Sequence, residues 1–221
     1  MTILHFTDEF LLTGGELPLA DSVAMLGPSG ARLSTTETLD LLSLTGGVPK
    51  YLEEIRPELS VDENFRRLCF LPRSLLFREK AGHFEFVSLE QLNGWDSILG
   101  LQFENLVLNH VGDLFPHLGL ERSLVLSAAP YVQNATKRIE GCQIDLLIRT
   151  ERMLMVVEIK RRREIRHEVV DEVAEKIRKL KYDRSLSIRT ALVYDGLLSP
   201  SVEADRFFDF IVPADVLLKH P

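Results

Sequence analysis

Residues 141–160 read GCQIDLLIRTERMLMVVEIK. They hold side chains of types that do chemistry together: Asp145, Glu158 and Lys160. The stretch has the pattern of two apolar strands joined by a short turn. If Glu151 and Arg152 form that turn, Asp145 stands opposite Glu158 and Gln143 opposite Lys160. Strand side chains alternate faces. Glu158 and Lys160 then share one face, and Met153, Met155, Val157 and Ile159 the other. Like charges directly opposed across a ladder are destabilising, so the pair brings the fold no structural gain. A divalent cation between the carboxylates would remove the repulsion. The two carboxylates and the Ile159 carbonyl are hard oxygen donors suited to Mg²⁺ or Mn²⁺. Such a cation polarises a phosphate ester and acidifies a bound water. Lys160 is placed to orient that water or to offset charge on phosphate oxygens. Gln143 either fixes a water or phosphate position or is an ordinary polar residue at the core edge.

The elements around this hairpin must position it. Trp95 to Leu108, WDSILGLQFENLVL, has a helical pattern. Ile98, Leu101, Leu108 and Phe115 lie along one stripe, and Phe103, Leu106, Val107 and Val111 cover much of the rest, as in a buried helix. Glu104 is its only acid between Asp96 and Asp113. It falls one turn from Leu101 and Leu108, on the apolar side. A buried carboxylate needs a partner or a cation. Glu104 is therefore either in an ion pair or the third acid of the Asp145–Glu158 site. Downstream, residues 160–189 hold eleven Lys or Arg against six Asp or Glu. That excess beside the acidic pair is what a phosphate backbone would meet; the plainer alternative is a solvated helix face. Lys137, Arg138, Arg161, Arg162 and Arg163 are the candidates to grip a backbone without reading its sequence.

Elsewhere, Gly and Pro break residues 1–34 into short pieces, which reads as a loosely attached arm. Thr35 or Thr36 caps a helix that Gly46-Gly47 ends and Pro49 restarts. Asp62 caps a further helix, stopped by Pro72. Phe84 to Leu89 alternates like a strand. Strands are also expected from Ser123 to Ser127, from Tyr131 to Gln133, from Arg189 to Tyr194 and from Phe207 to Val212. Asp195-Gly196 turns out of the Arg189 strand, and Pro213 starts a closing helix. Arg161-Arg162-Arg163 closes the Glu158 strand. His167 to Leu180 is an amphipathic helix, with Val169, Val173, Ile177 and Leu180 at helical spacing. Strands alternating with helices give an α/β layer structure.

Asp145 followed by Glu158-Ile159-Lys160 on the next strand, after a helix bearing Glu104, resembles the active site of the PD-(D/E)XK nuclease superfamily. LTGGVPKYLEE (44–54) is similar to the lid segment of archaeal-type AAA ATPases, many of which end in a nuclease-like domain. SVDENFRRLCF (60–70), GLQFENLVLN (100–109) and GCQIDLLI (141–148) also resemble that family. The resemblance covers roughly residues 30–79 and 94–218. It implies a small helical lid remnant over 35–92 after the 1–34 arm. Over 93–221 it implies a nuclease-like domain, α/β with a restriction-endonuclease-like αβββαβ core, a mixed sheet flanked by helices. It also implies Asp145, Glu158 and Glu104 as metal ligands, with Lys160 and Gln143 beside the reacting phosphate. The chain departs from the family in lacking GxxxxGK[ST]: Ala31 and Arg32 follow Gly27-Pro28-Ser29-Gly30. It also has no room between Phe77 and Trp95 for the winged-helix part. No ATP hydrolysis is expected of this chain alone. The implied activity is metal-dependent cleavage of DNA rather than RNA, with an ATPase subunit or a second copy as further partner. The alternative is a catalytically idle module that binds nucleic acid or assembles with an ATPase.

Composition sets bounds. The net charge of -7 argues against wholesale coating of nucleic acid, and 45% apolar residues suffice for a core. Two distant cysteines, Cys69 and Cys142, read as reduced thiols of a cytoplasmic protein. No apolar run approaches the roughly 20 residues of a membrane-spanning helix.

Overall fold

The computed structural model describes residues 17–27, 32–70 and 94–219. Among the described residues, five strands form one open sheet in the order β1 (Ser127–Gln133), β2 (Cys142–Arg149), β3 (Met153–Ile165), β4 (Ser187–Leu198) and β5 (Phe210–Pro213). β1–β2 and β2–β3 are antiparallel; β3–β4 and β4–β5 are parallel. A parallel pair needs a crossover. The helix Glu168–Lys179 supplies it between β3 and β4. The protein is thus α/β, with a mixed sheet flanked by helices.

The β2–β3 hairpin closes at Glu151-Arg152, where the Thr150 N–H donates to the Met153 carbonyl at 2.9 Å. The ladder runs from Arg149–Leu154 to Leu146–Val157, the register that a turn at Glu151-Arg152 predicts. It stops there, one pair short of Asp145 and Glu158. β2 also carries an extra residue between its pairings Leu147–Ala129 and Ile144–Tyr131. Such a bulge re-aims side chains. Ile144 leaves the face of Leu146 and Ile148 and joins that of Val156, and Asp145 sits at the switch.

Upstream of the sheet are helices α1 (Leu19–Met25), α2 (Thr35–Thr45), α3 (Pro49–Leu52), α4 (Val61–Phe65), α5 (Trp95–Asn109) and α6 (Val111–Leu114). The Glu168–Lys179 helix is α7, and α8 is Pro200–Asp205. One sheet face, through Leu146, Ile148, Met155, Val157, Ile159 and Val193, packs with α5 (Leu99, Phe103, Leu106, Val107) and α2 (Leu39, Leu42) in one core. On the opposite face, Ile144, Val156 and Leu192 pack with Val169, Val170 and Val173 of α7 and Val202 of α8. Burying each such side chain contributes roughly 1.5–3 kcal/mol.

Several local expectations change. Ser34 and Ser60, not Thr35/Thr36 and Asp62, cap α2 and α4, each in a reciprocal capping box with Glu37 or Glu63. Part of the expected loose arm is ordered: α1 drives Leu19 into the core with no exposure. The ring nitrogens of His110 lie 2.9 Å from the Leu106 carbonyl oxygen and 3.1 Å from that of Leu17. Residues 1–16, and the strand expected over 84–89, lie outside the described residues. β3 does not close at Arg161–Arg163, and β4 does not turn out at Asp195-Gly196; both run on, pairing as far as Ile165–Leu198. Gly196 permits this. Its φ is 126°, and a Cβ there would stand 1.8 Å from the Arg162 carbonyl oxygen. The strand expected from Ser123 begins only at Ser127, after a 3₁₀ turn over Arg122–Leu124, and the closing element is a 3₁₀ turn, Ala214–Leu218.

Candidate active site

Where β2 and β3 part, the backbone N–H of Ile159 meets no carbonyl of β2 but donates to Asp145 Oδ2 at 2.9 Å. This bond fixes the Asp145 carboxylate beside Glu158. Glu158 is fully buried and Asp145 is 8% exposed. Two carboxylates with so little water need a cation, and α7 brings one. Lys176 Nζ lies 3.3 Å from Asp145 Oδ1 and hydrogen-bonds Glu158 Oε2. Lys160 Nζ lies 2.8 Å from Glu158 Oε1 and 2.9 Å from Glu172 Oε2. Both oxygens of the buried Glu158 carboxylate thus face an ammonium. Burial works to lower both lysine pKa values. The Glu158 carboxylate, joined by Asp145 at Lys176 and by Glu172 at Lys160, outweighs it and holds both above the usual lysine value.

The pair opens on a cleft of about 590 Å³. Its walls include Glu104 and Gly100 of α5, Gln143 of β2, and Arg162 and Arg163 of β3. Glu104 therefore lies on the helix stripe of Ser97 and Gly100, not on the apolar side. Leu101 is 55% exposed, and the buried stripe is Leu99, Phe103, Leu106 and Val107. Burial, then the Asp145 and Glu158 charges, push the Glu104 pKa up. Gln143 pairs with Val132 of β1 rather than with Lys160, because the β2–β3 ladder has already ended.

Of the basic candidates, Arg162 and Arg163 are exposed at the cleft, which meets a second cleft of about 800 Å³ along Lys160, Arg162, Arg163 and Arg166. Arg161 is different. It also lines the cleft, but its guanidinium is mostly buried and pairs with Asp40 of α2 and, at 3.6 Å, with Asp195 of β4. Lys137 and Arg138 are exposed at the turn between β1 and β2; neither lines the Asp145 cleft, and Arg138 lines a separate groove with Arg178 and Lys181.

Lys176 is the residue that sequence reasoning missed. A signal was there: with Val169, Val173 and Leu180 it falls on the core-facing stripe of α7, a position that an unpaired lysine rarely holds.

The donor set suits a hard cation. Asp145 Oδ1 and Glu158 Oε2 converge on one ammonium, and Glu158 Oε1 faces a second, that of Lys160. Among the described residues, however, no three His, Cys, Asp or Glu side chains converge as a metal-holding group. Glu104 faces the same cleft without completing such a set. Mg²⁺ commonly uses one or two carboxylates and takes its remaining ligands from water and phosphate, so the pair fits in kind.

Fold and cleft together define an α/β chain with a buried carboxylate pair at the parting of two strands. No known family profile matches the sequence, and no curated protein matches it. Among solved structures, protein VC1899 from Vibrio cholerae is similar at 13% identity and a TM-score of 0.49, over 92% of this chain and 55% of that one. The chain thus spans about half that protein's length, and the likeness is too low to assign a fold or a function. Among the described residues no helix is long and apolar enough to cross a membrane.

Proposed function

We propose that the chain hydrolyses phosphodiester bonds of DNA at this cleft with a divalent cation, Mg²⁺ or Mn²⁺, and that its sheet and flanking helices are a restriction-endonuclease-like core. The observation that supports this reading is the convergence of Asp145 and Glu158 on one cation-binding point, with Lys160 beside it. When bound, the cation would polarise the phosphate and acidify a water. Glu158 contributes the buried carboxylate, whose two oxygens face the Lys176 and Lys160 ammoniums. Asp145 is held in place by the Ile159 N–H. Lys160 is near enough to orient the attacking water or to offset charge developing on phosphate oxygens. Gln143 supplies a neutral donor to the cleft wall, and Glu104 adds negative charge that favours a cation. Arg162 and Arg163 grip the backbone on either side.

A second reading has its own support. Lys176 already balances the pair, so the cleft is equally that of an idle nucleic-acid-binding module acting with an ATPase partner. Nicking of supercoiled plasmid separates the two. Cleavage should require Mg²⁺ or Mn²⁺, stop in EDTA, and vanish in Glu158→Gln and Lys160→Ala while DNA binding persists. Salt-dependent binding without cleavage by wild type under any divalent cation selects the idle module. Neither cleavage nor binding removes both.

A further inference from the structure

We propose that Lys176 is a tethered cation that competes with the divalent ion for the Asp145–Glu158 pair, so that the resting site is closed by an ammonium and metal entry must displace it. This rests on the reading of Asp145 and Glu158 as the cation pair.

The geometry is specific. α7 is anchored by Val169, Val170 and Val173 in the core. From successive turns it presents Glu172 and Lys176 to the sheet. Lys176 joins Asp145 to Glu158, and Lys160 joins Glu158 to Glu172. The result is a chain of alternating sign, Asp145–Lys176–Glu158–Lys160–Glu172. The Lys176 ammonium contacts one oxygen of each carboxylate, which is where an ion shared by the two must sit. A divalent ion and an ammonium cannot share that point, because like charges a few ångströms apart in a poorly solvated site repel strongly. Lys160 is not the competitor. It approaches Glu158 from the other oxygen and has Glu172 as a second partner.

Displacement is feasible because Lys176 is not sealed in. Its side chain is 22% exposed and lines the open cleft with Arg162 and Arg163. Four flexible bonds let the ammonium swing outward while α7 stays put. Once freed, it faces the space where a phosphate would sit. The closed state also removes the cost of two buried, opposed carboxylates when metal is absent, which is a structural reason for a lysine on a core-facing stripe.

The test is metal binding, not activity. Mn²⁺ is titrated calorimetrically into wild type, Lys176→Met and Lys176→Arg. Lys176→Met should bind Mn²⁺ roughly tenfold or more tightly, whereas Lys176→Arg, which keeps the charge, should match wild type. Equal or weaker binding by Lys176→Met overturns the proposal while leaving the cation pair standing. No Mn²⁺ binding by any of the three overturns the pair reading, and this proposal with it. If Lys176→Met does not fold, wild type with ¹³C-labelled lysine decides. Mg²⁺ should shift the Lys176 ε-methylene resonance, assigned by its absence in Lys176→Arg. An unmoved resonance at saturating Mg²⁺ overturns the proposal.

Discussion

Replacing Asp40 with Asn should make the protein more stable at neutral pH, although it deletes one partner of a buried ion pair. Asp40 faces Arg161, with Asp195, Glu37 and Thr36 around it. Burial raises its pKa from 3.8 to about 6, and the nearby Arg161 guanidinium only partly opposes this. Asp195 is raised as well, by burial first, against Arg161 and the Thr36 hydroxyl. One guanidinium thus serves two acids, and one acid is surplus. A carboxyl whose folded pKa is raised stabilises the fold in its protonated form. That contribution is complete below about pH 4 and is lost as pH rises through about 6. Each pKa unit corresponds to 1.36 kcal/mol, so ionised Asp40 costs on the order of 2–3 kcal/mol relative to the protonated form. Asn is the neutral isostere. The Arg161 attraction is already contained in the shift, and the variant keeps Asp195 as partner. Asp40→Asn should therefore equal wild type near pH 4 and exceed it at pH 7.5 by that amount. For a chain of this size that is about 5–10 °C in melting temperature. Thermal melts at half-unit steps from pH 4 to 8 measure it. A wild-type melting temperature that is flat across this range, with Asp40→Asn melting lower at pH 7.5, would refute the reasoning and make Asp40–Arg161 a net stabilising pair of the ordinary buried kind.

Gly196→Ala should destabilise by roughly 2–4 kcal/mol, because the new Cβ meets the Arg162 carbonyl oxygen at 1.8 Å and φ is 126°; a urea midpoint within error of wild type would contradict the backbone geometry. Gly100→Ala should do the reverse, adding about 0.5–1 kcal/mol, since nothing lies within 4 Å of a Cβ at this helical position, and chemical denaturation reads both. Arg162→Ala with Arg163→Ala should lower the salt slope of DNA binding by about two units, whereas Arg161→Ala should leave the slope unchanged and lower the melting temperature. If Arg161→Ala is the change that flattens the slope, its guanidinium leaves Asp40 to reach phosphate.

The sequence by itself determined the β2–β3 hairpin. Its two apolar runs and the two-residue turn at Glu151-Arg152 set a register that places Met155, Val157 and Ile159 together on one face. It likewise determined α7, whose valines recur at helical spacing, and the approach of Asp145 to Glu158, which follows from that register. What it could not determine are contacts between elements distant in the chain. Whether Arg161 meets solvent or Asp40 depends on where α2 packs, more than a hundred residues upstream. Gln143 misses Lys160 because a bulge against β1 and the parting of β2 and β3 end the ladder, features that the pattern of the hairpin alone does not carry. Lys176 is the sharpest case. A carboxylate pair demands a cation, and local pattern supplies that demand without naming the donor. Only the packing of α7 across the sheet decided that the first cation to arrive would be covalently attached.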